Sequence, residues 1–311
     1  MTSTSRRYYR VMLGRKSAHA QQSFAGGYVG VDDITGDLSG QLPDDWREFN
    51  RKFIPIFLAK FRDKSKIAAG LAGGVTWTLC KGIRKGDVII SPDGMGRYRV
   101  GEVTSDYQWA SGQAYPHRRA VHWLDATIDR TAMSESLRNS TGSVNTISEI
   151  SRYADEIEHL IGGAAPPKLI ATDETIEDPV AFAMEKHLEE FLVQNWASTE
   201  LGKSYDIYEE EGERVGQQYA TDTGPMDVLA VSKDKKQLLV VELKKGRASD
   251  AVVGQILRYM GYVMQVLAEP DQTVHGVIIA LDNDQRVRRA LAAVPNVTFY
   301  RYEVSFRLIK G

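Results

Sequence analysis

Two apolar, β-branched stretches follow one another at Pro225 to Val231 and Gln237 to Leu243, with the turn Lys233-Asp234-Lys235-Lys236 between them. Such a pair reads as a hairpin. The second stretch, Gln-Leu-Leu-Val-Val-Glu-Leu, is almost continuously apolar, which marks a strand buried on both faces. Around it, Val180 to Trp196 has apolar residues at helical spacing and Tyr205 to Glu209 is a strand candidate. Ser249 to Ala268 reads as a long helix, Val274 to Leu281 as a buried strand, Asp284 to Val294 as a helix and Val297 to Leu308 as extended chain. Strands alternating with helices about one apolar strand predict an α/β unit, a mixed sheet flanked by helices.

A chain of 311 residues accommodates about two domains. The boundary falls at Gly162-Gly163-Ala164-Ala165-Pro166-Pro167, where a glycine pair stops a helix and a proline pair keeps it from resuming. The expected organisation is residues 1–162, a linker over 163–180, and residues 181–311. Short strand patterns dominate the first part: Tyr8 to Leu13, Gly26 to Val31, Gly86 to Ile90, Arg97 to Val103 and His117 to Leu124. Trp46, Phe49, Phe53, Ile56 and Phe57 recur at helical spacing, so one helix over Asp45 to Leu58 covers the strands. The prediction is a small, curved, β-barrel-like α+β unit.

No run of about 18 apolar residues occurs, and Met1 to Arg10 is polar and basic. A cytoplasmic protein with no membrane span and no secretory signal is expected. Cys80 is the only cysteine, and the six histidines contain no H-x-x-x-H pair. Disulfide frameworks and multi-cysteine metal sites are therefore excluded, and any metal must be held by carboxylates, as Mg²⁺ or Mn²⁺ is. Charge is unevenly spread: residues 1–150 carry 21 Lys and Arg against 15 Asp and Glu, residues 151–311 carry 18 against 26. Arg51 to Lys85 is the most basic stretch, with Lys52, Lys60, Arg62, Lys64, Lys66, Lys81 and Arg84 opposed only by Asp63. It reads either as a solvated helical face or as a polyanion contact.

The residues that carry chemistry lie on the hairpin. In Gly224-Pro225-Met226-Asp227-Val228-Leu229-Ala230 and Leu239-Val240-Val241-Glu242-Leu243-Lys244-Lys245, Asp227 and Glu242 stand at the inner ends of consecutive strands. Side chains alternate along a strand, so Glu242 and Lys244 share a face while Leu243 points into the core. Hydrolysis of a phosphodiester requires charge stabilisation at phosphorus and an in-line water, which carboxylate-held Mg²⁺ supplies and an ammonium assists. A salt-bridging Glu-x-Lys at the wet end of a hairpin accounts for the second motif alone. It leaves the Asp at the matching place on the preceding strand unexplained. Gln255 and Tyr259, four apart on the next helix, share one of its faces. On the helix before the hairpin, taking Met184, Leu188, Phe191 and Asn195 as the buried stripe places Glu185 beside it and Glu189 further toward solvent. Glu185 is thus the candidate third carboxylate, against the alternative of a solvated helix face.

Over residues 180–308 these motifs, with Gln255-Ile256-Leu257-Arg258-Tyr259-Met260-Gly261-Tyr262-Val263, resemble the PD-(D/E)xK nuclease superfamily and, more narrowly, its NucS-like endonuclease domain. The resemblance implies a restriction-endonuclease-like fold and metal-dependent DNA cleavage. It also implies Asp227, Glu242 and Lys244 as the catalytic signature, Gln255 and Tyr259 as the associated helix motif, and Glu185 as the acid from the preceding helix. Pro225 stands two before Asp227 instead of directly before it, a departure such nucleases tolerate.

The first part should then choose the substrate. Tyr28, Trp77, Tyr98, Tyr107, Trp109, Tyr115 and Trp123 divide between core service and stacking on an unpaired or flipped base. Trp109 lies in the polar run Asp106 to Gly112, where core service is least expected. Over residues 8–130, Gly-Arg-Tyr-Arg-Val-Gly-Glu-Val and His-Arg-Arg-Ala-Val-His-Trp look similar to PUA-like and EVE-like modified-base readers. The base- and DNA-contact candidates are Trp77, Trp109, Tyr28, Tyr98, Lys60, Arg62 and Lys64. Together the parts predict a homodimeric Mg²⁺- or Mn²⁺-dependent endonuclease acting on double-stranded DNA with a modified or flipped base, in restriction of foreign DNA. Two rivals are a repair nuclease for mismatched or branched DNA and a catalytically silent nucleic-acid-binding protein.

Overall fold

A computed structural model describes residues 6–142, 145–162, 188–210, 212–283 and 285–303. By its internal contacts the chain divides into two compact units, Met1–Thr172 and Asp173–Gly311. The division falls within the stretch read as a linker, all of which lies outside the described residues. Among the described residues no helix is long and apolar enough to cross a membrane.

Among the described residues of the first unit seven strands form one open, curled sheet: β1 (Tyr8–Val11), β2 (Tyr28–Val31), β3 (Val88–Pro92), β4 (Arg97–Val103), β5 (Gln108–Trp109), β6 (His117–Asp129) and β7 (Ile147–Glu149). Their order is β2-β6-β4-β3-β1-β7, with β5 also on β6, and only β1 and β3 run parallel. The 13-residue β6 explains the curl, since its first residues pair with β2 and β5 and the remainder with β4. Gly101 sits where β4 presses on β6, and a Cβ there would lie 2.5 Å from Val121 Cγ1 and 2.8 Å from Trp123 Cε3. The concave side is filled by Tyr9, Val11, Leu13, Val29, Leu79, Ile89 and Val103.

Helices are more numerous here than the one expected over the strands and the one expected before Gly162: α1 (Ala20–Gly26), α2 (Trp46–Lys60), α3 (Lys66–Trp77), α4 (Glu135–Thr141) and α5 (Ala154–Leu160). Asp45 caps α2 by accepting from the Glu48 N–H, and Phe49, Phe53 and Phe57 form its buried stripe. Ile54 joins them, whereas Ile56, expected in the stripe, is exposed. Ser65 caps α3. The glycines of α3, which weaken any helical reading of its sequence, serve a close crossing: a Cβ on Gly73 would meet Asn50 Oδ1 at 2.4 Å, and one on Gly74 would meet Trp46 at 2.4 Å.

Among its described residues the second unit has six strands, β8 (Tyr205–Ile207), β9 (Gln217–Thr221), β10 (Gly224–Ser232), β11 (Gln237–Ala248), β12 (Thr273–Asn283) and β13 (Val297–Arg301). Its order is β13-β12-β11-β10-β8, with β9 also on β10. β11, β12 and β13 are parallel, while β10 is antiparallel to its three partners. The helices are α6 (188–194), α7 (Glu200–Ser204), α8 (Asp250–Tyr262) and α9 (Gln285–Ala292). Val193, Trp196 and Leu201 pack on one sheet face against Val228, Ala230, Leu239, Val241, Leu243, Val277 and Ile279. α8 covers the other, where Ile256 and Met260 lie over Gly276 so closely that a Cβ would come within 3.0 Å of either. This is the mixed α/β sheet, covered on both faces, that the strand pattern predicted; β9, a polar Gln-Gln-Tyr-Ala-Thr segment, carried no such signal.

Candidate active site

The antiparallel register pairs Val228 with Val241, which sets Asp227 beside Glu242 on adjacent strands. Paired residues share a face, and Glu242 and Lys244 pair with Ile278 and Ala280, on the side of Gly276 and α8. Asp227 is fixed from two directions. Its Oδ2 accepts from the Leu243 N–H at 2.7 Å and its Oδ1 from Gln218 Nε2 at 3.1 Å. Glu242 is 2% exposed, and its Oε1 lies 3.4 Å from Lys244 Nζ. Beyond Lys244 the ladder with β12 shifts register before Arg247, so β11 bends just after the last of these three residues.

α8 supplies the next pair. Gln255 Nε2 donates to the Tyr259 hydroxyl at 3.5 Å, and Tyr259 is buried. Burial raises the Tyr259 pKa; the Gln255 bond lowers it, and the negative charges of Glu242 and Asp227 push it up further. The hydroxyl therefore stays protonated and can donate. At the mouth of the hairpin β9–β10, Gly224 has φ +117°, a backbone that requires glycine, and a Cβ there would stand 3.5 Å from the Tyr259 hydroxyl.

On the preceding helix it is the placement of Glu189 that differs from expectation. Glu185 lies outside the described residues. Glu189, expected toward solvent, is 7% exposed and accepts from Gln217 Nε2 at 2.7 Å and Gln218 Nε2 at 2.5 Å. The stripe is phased differently: Glu189, Val193 and Trp196 face inward, and Phe191, placed in the stripe, is 66% exposed. Glu189 is thus joined to Asp227 through the one Gln218 amide. Among the described residues no group of three or more His, Cys, Asp or Glu is close enough to hold a metal ion. The pair Asp227 and Glu242 is what the hairpin itself provides.

In the first unit the aromatic candidates separate. Tyr98 is buried, its hydroxyl accepting from Arg130 and donating to the Thr141 carbonyl. Tyr28 is buried with the Arg118 guanidinium 3.7 Å from its ring centroid. Both are core residues: all four residues of β2 are buried, and Tyr98 lies on the buried side of β4. Trp77 is half-buried, stacked on Trp46 at 5.6 Å. Trp109, also half-buried, packs its ring 4.9 Å from that of His117, whose Nδ1 is 3.0 Å from the Tyr107 hydroxyl. Lys60 donates to the Asp33 carbonyl, Arg62 is exposed and Lys64 half-buried.

A covered mixed sheet carrying Asp on one central strand and Glu-x-Lys on the next is the arrangement that the resemblance to α/β nucleases implies. Residues 184–304 match the family described as Endonuclease NucS C-terminal domain, so the second unit is similar to a NucS-like nuclease domain. Residues 11–151 match a Domain of unknown function (DUF8426). No curated protein matches the chain. Among solved structures it is similar to the EndoMS-dsDNA2 complex, with 15% identity over 68% of this chain and 62% of that chain and a TM-score of 0.32. A repair endonuclease from Pyrococcus abyssi gives 15% identity over 68% and 66%, TM-score 0.30, and EndoMS in apo form gives 16% over 67% and 62%, TM-score 0.30. The chain spans less than two thirds of the length of each.

Proposed function

We propose that this protein is a Mg²⁺- or Mn²⁺-dependent DNA endonuclease in which residues 181–311 cut and residues 1–162 choose the substrate, with 163–180 linking them. The observation that carries the reading is the conjunction on β10 and β11: Asp227 tied to the Leu243 N–H, Glu242 next to it, and Lys244 Nζ 3.4 Å from Glu242. Two carboxylates fit such a cation, which takes one or two protein acids and completes its shell with water and phosphate oxygens. Asp227 and Glu242 would hold it, and when bound it would polarise the scissile phosphate and acidify a water. Lys244 orients that water and stabilises charge developing on the phosphate oxygens. Tyr259, protonated and bonded to Gln255, serves as a donor toward the same face and not as a base.

Selection by the first unit is read as recognition of a modified base, hence modification-dependent restriction, with Trp109 as the stacking surface that the burial of Tyr28 and Tyr98 leaves in place. The excess of Lys and Arg in residues 1–150 supplies attraction to phosphates. Cutting both strands requires two active sites, which a homodimer provides. The family match over 184–304 favours a second reading, a repair nuclease acting on mismatched or branched DNA. Incubation with Mg²⁺ and matched duplexes that are plain, methylated, hydroxymethylated or mismatched separates the two. Cleavage of modified duplexes supports restriction, cleavage of the mismatch supports repair, and binding without cleavage of any leaves a silent nucleic-acid-binding protein.

A further inference from the structure

We infer that Gln218 is a positioning residue of this site, its side-chain amide setting the spacing of Glu189 and Asp227 without neutralising either. The inference rests on the nuclease reading above. β9 is irregular at Gln218. Gln217 pairs with Val228 and Tyr219 with Met226, so Gln218 lies opposite Asp227. On a regular strand consecutive side chains point to opposite faces. Gln217 and Gln218 nevertheless both reach Glu189, at 2.7 and 2.5 Å. What permits this is the φ of +51° at Gln218, in the left-handed region that few residues other than glycine adopt.

The amide is the one uncharged group suited to the position. Its NH₂ carries two hydrogens, and both are used, one on Glu189 Oε2 at 2.5 Å and one on Asp227 Oδ1 at 3.1 Å. With carboxylates on both sides the nitrogen end must face them. Lys or Arg would bridge the same two acids but would bring the positive charge that a divalent cation is meant to supply. An aliphatic residue would leave two acids to repel one another. A carboxylate has about four acceptor sites, and Gln218 takes only one on each acid, so its amide does not itself block a cation. β9 thus links the helix-borne Glu189 to the strand-borne Asp227 while keeping the net negative charge intact.

The test is titration of the full chain with Mn²⁺ by calorimetry, alongside the Mg²⁺ dependence of DNA cleavage, for wild type, Gln218→Leu, Gln218→Asn, Gln218→Lys and Asp227→Asn. Loss of a residue that orients a metal ligand weakens metal affinity about 10- to 100-fold. Gln218→Leu should lose Mn²⁺ affinity by about tenfold and need correspondingly more Mg²⁺ for half-maximal cleavage, with kcat at saturating metal within about twofold of wild type. Gln218→Lys should bind no Mn²⁺. Gln218→Asn keeps the amide and tolerates the left-handed backbone but falls one methylene short. It should behave like Gln218→Leu and decides the matter if the leucine variant unfolds. Wild-type Mn²⁺ affinity in Gln218→Asn or Gln218→Leu, with affinity lost in Asp227→Asn, overturns the role of Gln218 and leaves the nuclease reading standing. Wild-type affinity in Asp227→Asn as well overturns both.

Discussion

The Asp227 carboxylate accepts a 2.7 Å hydrogen bond from the backbone N–H of Leu243, the residue between Glu242 and Lys244. Strand register and candidate chemistry are thereby coupled, because the bond holds one acid against the backbone that presents the other acid and the ammonium. Asp227→Ala leaves that half-buried N–H without its acceptor and should lower stability by about 1–3 kcal/mol along with abolishing cleavage. Asp227→Asn keeps an acceptor oxygen and should abolish cleavage with a melting temperature close to wild type. Thermal melts beside a nuclease assay check this, and equal melting of the two variants would remove the anchoring role.

Lys244→Met takes away the cation 3.4 Å from a carboxylate that is 2% exposed. Breaking a buried pair on one side costs about 3–5 kcal/mol, and the 17% exposure of the lysine side chain moderates it toward the lower figure. Cleavage should be lost and should stay lost at raised Mg²⁺, since water orientation is missing and not the metal. Full recovery with added Mg²⁺ would contradict the role given to Lys244.

Trp109→Ala and Trp77→Ala should diverge. Trp77 stacks on Trp46 between α2 and α3, so its loss should destabilise the first unit by about 2 kcal/mol, below the 3–5 kcal/mol of a fully buried aromatic. Trp109, on the two-residue β5, should leave the melting temperature nearly unchanged while reducing the preference for a modified duplex over its plain twin. Titrating both variants against labelled duplexes at two salt concentrations measures this; an undiminished preference in Trp109→Ala removes its stacking role.

Burial pushes the Cys80 thiol from its ordinary 9.0 up to about 12, with only the nearby Arg119 opposing. The raised folded-state value means that its contribution to stability is complete below pH 9 and declines as pH rises from about 9 to about 12. The folded protein should resist thiol alkylation at pH 8, and denaturant should expose one reactive thiol. Rapid labelling of the native chain would contradict the buried environment.

The sequence made the hairpin, and hence Asp227, Glu242 and Lys244, legible because a period of two and a run of apolar residues leave one pairing that buries Leu243. Gln255 and Tyr259 were legible for the corresponding helical reason, being four apart on a helix whose inward stripe is apolar. Glu189 was not, because its inward position depends on Gln217 and Gln218, which lie on a polar strand without hydrophobic alternation. A helix with Phe191 and Leu192 to bury gives no sign that it will expose Phe191 and turn a glutamate inward instead. α3 was hidden for a different reason: Gly70, Gly73 and Gly74 weaken it as an isolated helix, and only the crossing with α2 shows why Gly73 and Gly74 are there. Tyr28 and Tyr98 could not be told from surface aromatics until the curl of the sheet placed them inside.

The most direct measurement is cleavage of double-stranded DNA by wild type and Glu242→Gln, each with Mg²⁺ and with chelator, with folding and DNA binding monitored in parallel. Wild type should cut only with Mg²⁺, and Glu242→Gln, near-isosteric but uncharged, should fold and bind DNA yet cut at least about 100-fold more slowly. Cleavage by wild type in chelator, or by Glu242→Gln at the wild-type rate, would contradict the account of Asp227, Glu242 and Lys244 as a metal-dependent nuclease site.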